Sequence, residues 1–459
     1  MIAKSILFVL GLLGSLTSAS VTVRKTAKGP TGYEVDFHYF NATAKNVTIG
    51  GGFTTFTDAY HATAEGSASY DPRNYKPGWF RGSGNANTPA DLPFHMVSNG
   101  KGNWTYTTPL PSGTYLYAFL VDCGMRERCN RRTGKYIIDP DNLPFANVPG
   151  DQINSVFQVP FDATFQYHPD INLNLDFALP VNESNRGTVS IVNYTSPGSV
   201  HPAPDVHEFT LYLPKEYGTI KDKKYPVLYI SHGGGGNGQE WENLMTASHI
   251  LDRLILEKHI PPTVAVMPSM YNLAKEYKNV YSEPSNLSDA PSAPYVRQNY
   301  MQYLFPWVES HYAVSTNASQ RAFAGLSMGG MLTYEMYINA TSYFDYYGMF
   351  SGALGPRTAA GQYINNATLA KNPSFSKKGV FTAVGVYDGA FPDIRNFQTA
   401  LQNLQLPFVS RITPYGYHQW LTWQDNLWHF GQTVLWKPLP MTANPVKGPS
   451  KRMVGPRHH

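Results

Sequence analysis

The sequence has little charge, and after its first twenty residues it has no long apolar run. Of its 459 residues 15% are charged, and the formal net charge is only +4. Lys and Arg form no stripe interleaved with aromatic residues, so we expect no nucleic-acid partner. No segment beyond the N-terminus is apolar enough to predict a membrane span. The composition is instead 42% hydrophobic and rich in Tyr, Gly and Pro, which is typical of a globular protein with many strands and turns.

Cysteine is nearly absent. The two cysteines, Cys123 and Cys129, lie in the stretch CGMRERC. In an oxidising compartment a local disulfide is the simplest interpretation, and two free thiols are the alternative. A metal site needs more ligands than this pair offers, so the sequence predicts no metal.

The N-terminus favours a secreted protein. Residues 1–20 contain one Lys, an apolar run at 6–13 and small residues before Ser20, which is the layout of a cleaved signal peptide. The apolar run is short for a membrane anchor. Nine Asn-x-Ser/Thr sequons also predict a glycoprotein that passes through a eukaryotic secretory pathway.

The chain divides into two patterned regions. Short aromatic and β-branched runs broken by Gly, Pro and Asn occupy residues 21–160 and predict a small β-sandwich. Its aromatic residues Trp79 and Phe80 either bind sugar or pack against the next domain. Residues 161–205 show little apolar period and are predicted to be a linker and lead-in.

The second region predicts an α/β fold. Within residues 206–436, strand-like apolar runs alternate with helix-like stretches, which indicates a doubly wound, mostly parallel sheet covered by helices. Residues 437–459 are rich in Pro, Lys and Arg and are predicted to be disordered.

One short motif in the α/β region predicts a reactive serine. The stretch AGLSMGGM places Ser327 between the strand-like RAFAGL and a helix-like segment. Gly-x-Ser-x-Gly in this strand–turn–helix context is typical of a nucleophile elbow, where side chains on the flanking residues would collide with the strand or the helix. A serine hydroxyl in such a position needs a base to take its proton.

Chain order limits the candidates for that base. After Ser327 the only histidines outside the terminal pair are His418 and His429. His418 lies in a Gly-marked loop after a strand-like run, where the base of an α/β hydrolase is expected, whereas His429 lies in a predicted helix. We therefore predict His418.

The acid that orients the histidine should lie between Ser327 and His418 in the sequence. Asp388 directly follows the strand-like VFTAVGVY and is the preferred candidate, with Asp393 as runner-up. Glu335 and Asp345 are less well placed, the first inside the elbow helix and the second ahead of its strand.

A second glycine-rich stretch supplies the expected oxyanion donors. YISHGGGGNGQEW is a strand followed by a loop whose backbone N–H groups can face a developing oxyanion without side-chain interference. We predict the N–H groups of Gly234 and Met328 as donors. A phosphate-binding loop is the alternative, but the Lys-Ser/Thr ending and the Rossmann spacing are both missing.

Taken together, these motifs resemble a known family. HGGGG…W, RAFAGLSMGG, GVYDGA and GYHQWLTW look like the esterase D-like α/β-hydrolases, in particular the carbohydrate esterases that include feruloyl and acetylxylan esterases. GTYLYAFLVD and YIIDPDNLPFAN resemble the early-set β-sandwich, related to glycogen-binding modules, that precedes the esterase in many members. The resemblance covers most of residues 30–435 and implies the same triad and the same oxyanion donors.

The expected function is a secreted serine esterase that works through an acyl-enzyme and needs no cofactor. Its expected substrate is a feruloyl or acetyl ester on plant cell-wall polysaccharide.

Tyr271, in the long 270–295 loop, is expected to line the pocket. Trp420 and Trp423 either flank a phenolic ring or pack behind the histidine loop. The alternatives are a hydrolase of siderophore or other small esters, and a non-catalytic carbohydrate-binding protein. The sequence leaves the oligomeric state open.

Overall fold

The computed structural model describes the part of the chain from residue 19 to residue 441, with gaps. The described residues are 19–26, 28–51, 72–76, 94–123, 135–139, 142, 155–160, 162, 164–166, 175–199, 202–271, 273, 293–352, 354, 364–413 and 416–441.

The N-terminal region forms two antiparallel sheets. Its strands are β1 (Ala19–Lys25), β2 (Tyr33–Phe40), β3 (Val47–Gly51), β4 (Phe94–His95), β5 (Val97–Ser98), β6 (Asn103–Pro109), β7 (Gly113–Val121), β8 (Tyr136–Ile137) and β9 (Ser155–Val159). One sheet has the order β1-β2-β6-β5 and the other β4-β3-β7-β8, with β9 also paired to β7.

Aromatic residues fill the space between these two sheets. The side chains of β2 alternate between buried and less buried, as expected for strands that cover a core on one face. The Phe37 ring lies edge-on to Tyr117 and Phe157, with centroids 5.7 and 5.6 Å away. This arrangement confirms the predicted β-rich N-terminal region.

The C-terminal region contains one sheet of eight strands. They are β10 (Thr188–Thr195), β11 (Val206–Leu213), β12 (Val227–Ser231), β13 (Val264–Pro268), β14 (Arg321–Leu326), β15 (Tyr346–Phe350), β16 (Gly379–Gly385) and β17 (Val409–Thr413). Their order is β10-β11-β13-β12-β14-β15-β16-β17. The pairs β10–β11 and β11–β13 are antiparallel, and all later pairs are parallel.

Helices cover both faces of this sheet. They are α1 (Glu240–Asn243), α2 (Ala247–Leu256), α3 (Ala293–Asn299), α4 (Phe305–His311), α5 (Met328–Asn339), α6 (Asn366–Lys371), α7 (Phe391–Asn403) and α8 (Trp420–Thr433). A π-helical turn (Tyr300–Leu304) joins α3 to α4, and short 3-10 helices lie at Pro72–Asn74, Leu175–Ala178, Glu183–Asn185, Ala318–Gln320 and Pro373–Lys377. Every residue of β12 to β16 is buried, as expected for strands covered on both faces. The predicted doubly wound α/β-hydrolase architecture is confirmed.

The parallel strands bring distant parts of the sequence to one edge of the sheet. β12, β14, β16 and β17 all run in the same direction, so their carboxyl ends lie along the same edge. The segments that follow these four ends carry the glycine-rich loop, the elbow serine, Asp388 and His418. Open α/β sheets bind their ligands at this edge.

The prediction of a linker at residues 161–205 was wrong for Thr188–Thr195 and for the helical turn Leu175–Ala178. Thr188–Thr195 form β10, an edge strand paired along its whole length with β11. Six of its eight side chains are exposed, the apolar Val189 and Ile191 among them, so its apolar residues do not mark a buried face. Phe177 is also buried, and its ring stacks on Trp428 of α8 at 5.2 Å.

The predicted disordered tail begins later than residue 437. Leu439 and Met441 pack against the apolar cluster that contains α2 and α8, and the Lys437 amine donates to the His259 carbonyl at 2.7 Å. Residues 442–459 lie outside the described residues, where disorder stays a prediction.

Other predictions also fall partly or wholly outside the described residues. These include the signal peptide up to residue 18, the aromatic pair Trp79 and Phe80, and most of the 270–295 loop. The disulfide stays a prediction because Cys129 lies outside them. Among the described residues, no helix combines the length and the apolar character that crossing a bilayer requires.

The N-terminal sheets contact the α/β region directly. The Thr114 hydroxyl on β7 donates to the Leu244 carbonyl at 2.8 Å, at a buried position. Leu116 and Val156 of the same sheet pack into the apolar cluster formed by α2 and α8. These contacts join the two regions through buried groups.

We expect Thr114→Val to lower the free energy of unfolding by about 1–3 kcal/mol, because the buried Leu244 carbonyl would lose its hydroxyl donor. Urea unfolding followed by tryptophan fluorescence measures this loss. Thr107→Val is the matched control, because the Thr107 hydroxyl contacts Asp36 at an exposed position. Equal effects of the two variants would contradict a stabilising contact at Thr114.

Candidate active site

Ser327 occupies a strained turn between β14 and α5. Its backbone has φ 51° and ψ −116°, a combination that residues with a side chain rarely adopt. The Ser327 N–H donates to the Phe350 carbonyl at 2.9 Å, which ties the turn to β15. A methyl group on Gly325 would lie 2.5 Å from the backbone of Gly329, and one on Gly329 would lie 2.5 Å from the carbonyl oxygen of His232. Only glycine therefore fits at both positions.

A chain of hydrogen bonds connects Ser327 to a buried carboxylate. His418 Nε2 lies 2.9 Å from Ser327 Oγ, and His418 Nδ1 lies 3.0 and 3.1 Å from the two carboxylate oxygens of Asp388. The Asp388 side chain is fully buried, and it accepts a further hydrogen bond from the Ala390 N–H at 2.8 Å. With Nδ1 donating to Asp388, Nε2 is free of its proton and can accept one from the serine hydroxyl.

The alternative acids and base are held elsewhere. His429 pairs with Asp425 one turn away on α8, at 3.1 Å. Glu335 accepts from Arg297 at 2.9 Å, and Asp345 accepts from Lys378 at 2.6 Å. Asp393 lies buried in the first turn of α7. The structure thus brings Asp388 and His418 to Ser327. The other candidates lie elsewhere in the fold, three of them paired with other side chains.

The glycine-rich loop between β12 and α1 lies against the serine. A methyl group on Gly233 would lie 3.3 Å from the Ser327 Cβ. Gly234 is the next residue in the chain and therefore lies close to the nucleophile. Met328 is the first residue of α5, and the first N–H groups of a helix have no partner within the helix. Gly234 and Met328 are therefore neighbours of the serine, and their role as oxyanion donors stays a prediction.

Tyr271 does not line a pocket as expected, because its side chain is buried to 99%. Its hydroxyl oxygen accepts from the Gly235 N–H at 2.9 Å, and the hydroxyl contacts the Met328 sulfur at 3.7 Å. The ring packs 5.3 Å from that of His232. Tyr271 thus supports the glycine-rich loop from behind instead of presenting its face to a substrate.

The two tryptophans behind the histidine loop differ in their surroundings. Trp423 is buried, and the rings of Trp423 and His418 meet edge to face with centroids 4.9 Å apart. Trp423 thus packs behind the histidine, which is one of its two expected roles. Trp420, the first residue of α8, is only partly buried and packs against the apolar cluster that contains α2 and α8.

Two buried titratable residues, His232 and Glu240, flank the glycine-rich loop and were not predicted. Burial lowers the pKa of the His232 imidazole to about 4, so the ring is neutral at pH 7. Burial raises the pKa of the Glu240 carboxyl to about 7, and hydrogen bonds from Gly233 and Trp420 oppose part of that rise. The only sequence signal was their position, one on each side of a glycine run, and such a position does not reveal burial.

No cluster of three or more His, Cys, Asp or Glu side chains suited to a metal ion occurs within the ranges that the structure describes.

Residues 205–430, which contain all of these groups, match the family model named Esterase. The match spans just under half of the chain and contains the elbow serine, its base and its acid. A serine, a histidine and a carboxylate in this arrangement are what a serine ester hydrolase requires.

Two curated bacterial proteins are similar to this chain. The endo-1,4-beta-xylanase/feruloyl esterase of Xylanibacter ruminicola is 28% identical over 265 residues, which cover 56% of this chain and 33% of that protein. Endo-1,4-beta-xylanase Y of Acetivibrio thermocellus is 26% identical over 263 residues, which cover 53% of this chain and 21% of that protein. The match thus spans a third or less of the length of these relatives.

Solved structures of esterases are also similar. A ferulic acid esterase of the anaerobic fungus Anaeromyces mucronatus has a TM-score of 0.46 and 18% identity, and the match covers 57% of this chain and 96% of that structure. The enterobactin esterase of Shigella flexneri has a TM-score of 0.47 and 16% identity, and the match covers 91% of this chain and 96% of that structure.

We expect Asp388→Asn to reduce kcat about 10⁴-fold, because an amide no longer selects the tautomer of His418 that accepts the serine proton. Asp393→Asn is the matched control and should change kcat less than about threefold, since Asp393 lies in the first turn of α7. Steady-state hydrolysis of an aryl acetate gives both values. The reverse order of effects would assign the acid to Asp393.

Glu240 should make stability depend on pH. Its pKa is about 7 in the folded protein against 4.5 ordinarily, so between these values the folded state binds more protons than the unfolded state. The contribution of Glu240 to stability is therefore present below pH 4.5 and is lost as the pH rises through 7. The free energy of unfolding of the wild type relative to Glu240→Gln should fall by on the order of 3 kcal/mol from pH 4.5 to 8. Urea unfolding at several pH values tests this, and a constant difference would contradict it.

Proposed function

We propose that this protein is a secreted esterase that hydrolyses feruloyl or acetyl esters on plant cell-wall polysaccharide through an acyl-enzyme. The observation that carries the proposal is the 2.9 Å contact between His418 Nε2 and Ser327 Oγ, with the buried Asp388 carboxylate on the other side of the imidazole. A base, an orienting acid and a nucleophile in this order are what acyl transfer to a serine requires.

The first half of the reaction forms the acyl-enzyme. Ser327 Oγ attacks the ester carbonyl carbon while His418 Nε2 takes the hydroxyl proton, and the carbonyl oxygen becomes an oxyanion. The N–H groups of Gly234 and Met328 donate to that oxygen. The intermediate collapses, the C–O bond to the alcohol breaks, and His418 returns the proton to the departing alcohol.

The second half releases the acid. A water molecule attacks the acyl carbon while His418 Nε2 takes one of its protons, and the Gly234 and Met328 N–H groups again hold the oxyanion. Collapse then breaks the bond to Ser327 Oγ, which regains the proton from His418. The net reaction consumes one water and yields a carboxylic acid and an alcohol, and no redox partner or cofactor takes part.

The proposed substrate class is supported by the names of the two curated relatives, which include feruloyl esterase and xylanase. It also fits the surface beside the site. Val386 and Tyr387, next to Asp388, are 38% and 39% exposed, and the Tyr387 ring stacks on Tyr417 at 5.6 Å. An apolar surface of this kind is suited to an aromatic acyl group.

Secretion is part of the same proposal. It is supported by the signal-peptide layout of residues 1–20 and by the nine sequons. A polysaccharide of the plant cell wall is an extracellular substrate, so the proposed substrate and the proposed localisation agree.

The decisive variant is Ser327→Ala. We expect it to lower kcat by several orders of magnitude, since the serine acts together with His418 and Asp388, and to leave the unfolding midpoint nearly unchanged. A fluorophosphonate should label the wild type on Ser327. Ser190→Ala, an exposed serine of β10, is the matched control and should keep both activity and labelling.

A substrate panel separates the remaining alternatives. Methyl ferulate, acetylated xylan and a siderophore ester should be compared by kcat/KM. Preference for the siderophore ester would replace the proposed substrate while keeping the mechanism. A chain that neither hydrolyses an aryl acetate nor reacts with the fluorophosphonate would instead be a non-catalytic binding protein.

A further inference from the structure

We propose that Glu240 is a positioning residue that holds the glycine-rich loop and so orients the Gly234 oxyanion donor. This inference deepens the proposed function and rests on it. Glu240 touches neither the serine nor the histidine in the hydrogen-bonded chain described above, so any effect on the reaction passes through the groups that it holds.

The group that Glu240 holds is the glycine-rich loop. The Gly233 N–H donates to Glu240 Oε2 at 3.0 Å, and the Gly233 carbonyl lies 2.7 Å from His232 Nδ1. His232 Nε2 accepts from the Met270 N–H at 3.0 Å, so Nδ1 carries the proton and donates to Gly233. Gly233 is therefore held at both its N–H and its carbonyl oxygen.

Holding Gly233 at both ends sets the direction of the next N–H. The Gly233 carbonyl and the Gly234 N–H belong to one planar trans peptide and point in opposite directions. Glu240 fixes the peptide before Gly233, and His232 fixes the peptide after it. Together they leave the Gly234 N–H little freedom to rotate away from the serine.

The surroundings of Glu240 are closed and tightly fitted. The residue is 6% exposed, and a methyl group on Gly236 would lie 2.1 Å from Glu240 Oε2. The titratable groups that face it are His232, His418 and Tyr271. A buried N–H is costly to leave unpaired, so loss of the Glu240 carboxyl should disturb Gly233 and the loop that follows it.

Glu242, two residues later on α1, offers a matched comparison. Its carboxylate accepts from the N–H and the hydroxyl of Ser248, at 3.0 and 2.7 Å, and so caps the start of α2. Neither of these two hydrogen bonds involves the glycine-rich loop. A purely structural role for Glu240 predicts that Glu240 and Glu242 variants behave alike, whereas a positioning role predicts that only Glu240 variants affect the reaction.

The kinetic experiment compares Glu240→Ala, Glu240→Gln and Glu242→Gln at pH 8, with active sites counted by fluorophosphonate titration. For Glu240→Ala we expect kcat per active site on an aryl acetate to fall about 100-fold with KM within about threefold, as for a misplaced oxyanion donor. Glu240→Gln keeps one acceptor and should recover about tenfold of that loss.

Glu242→Gln should keep kcat per active site within about twofold of the wild type, even if its unfolding midpoint falls. A trifluoromethyl ketone, which forms an oxyanion on the serine, should lose affinity in parallel with kcat across the series. A Glu240→Ala enzyme with wild-type kcat per active site, or an equal fall in kcat for Glu242→Gln, would overturn the proposal.

Amide hydrogen exchange provides a readout that does not depend on hydrolysis. In a Ser327→Ala background, the peptide that contains Gly233–Gly236 should exchange at least tenfold faster with Glu240→Ala than with Glu242→Gln. Equal exchange would overturn the proposal whatever the kinetics show. If Ser327→Ala hydrolyses esters like the wild type while the exchange changes as expected, the proposed mechanism fails and the support of the loop by Glu240 stands.

Discussion

The strained backbone of Ser327 is the constraint on which the site depends. A positive φ on a residue with a side chain is unfavourable, and the fold maintains it by close packing of the segments on either side. Gly325, Gly329 and the backbone of His232 approach so closely that no side chain fits between them. The same approach places the glycine-rich loop beside the serine, so one packing arrangement presents the hydroxyl and the expected oxyanion donors together.

Buried polar groups surround that turn in two sets. Asp388 lies behind His418 and is held by the Ala390 N–H, while Glu240 and His232 lie behind the glycine-rich loop. Each group has partners that determine its orientation, and a buried polar group with fixed partners costs little reorganisation when charge develops nearby.

Much of this arrangement could be predicted from local patterns. The elbow at Ser327 has a steric signature in its glycines, and chain order with strand ends led to Asp388 and His418. Tyr271 was misjudged because an aromatic residue after a strand reads the same whether it faces a substrate or supports a backbone. β10 was missed because it is an edge strand in a polar stretch, whose apolar residues Val189 and Ile191 are exposed, and Glu240 gave no local sign of its burial.

The sequence by itself determined the α/β class, the elbow and the order of the reactive residues, because these follow from periodicity, from the steric needs of glycine and from strand-to-loop succession. Only the tertiary structure decided which side chains are buried and which polar atoms meet. Tyr271 is far from Gly235 along the chain, and His418 is far from Ser327. Such pairs form because parallel strands bring their carboxyl ends to one edge, and the distances there depend on the packing of the whole sheet and its helices.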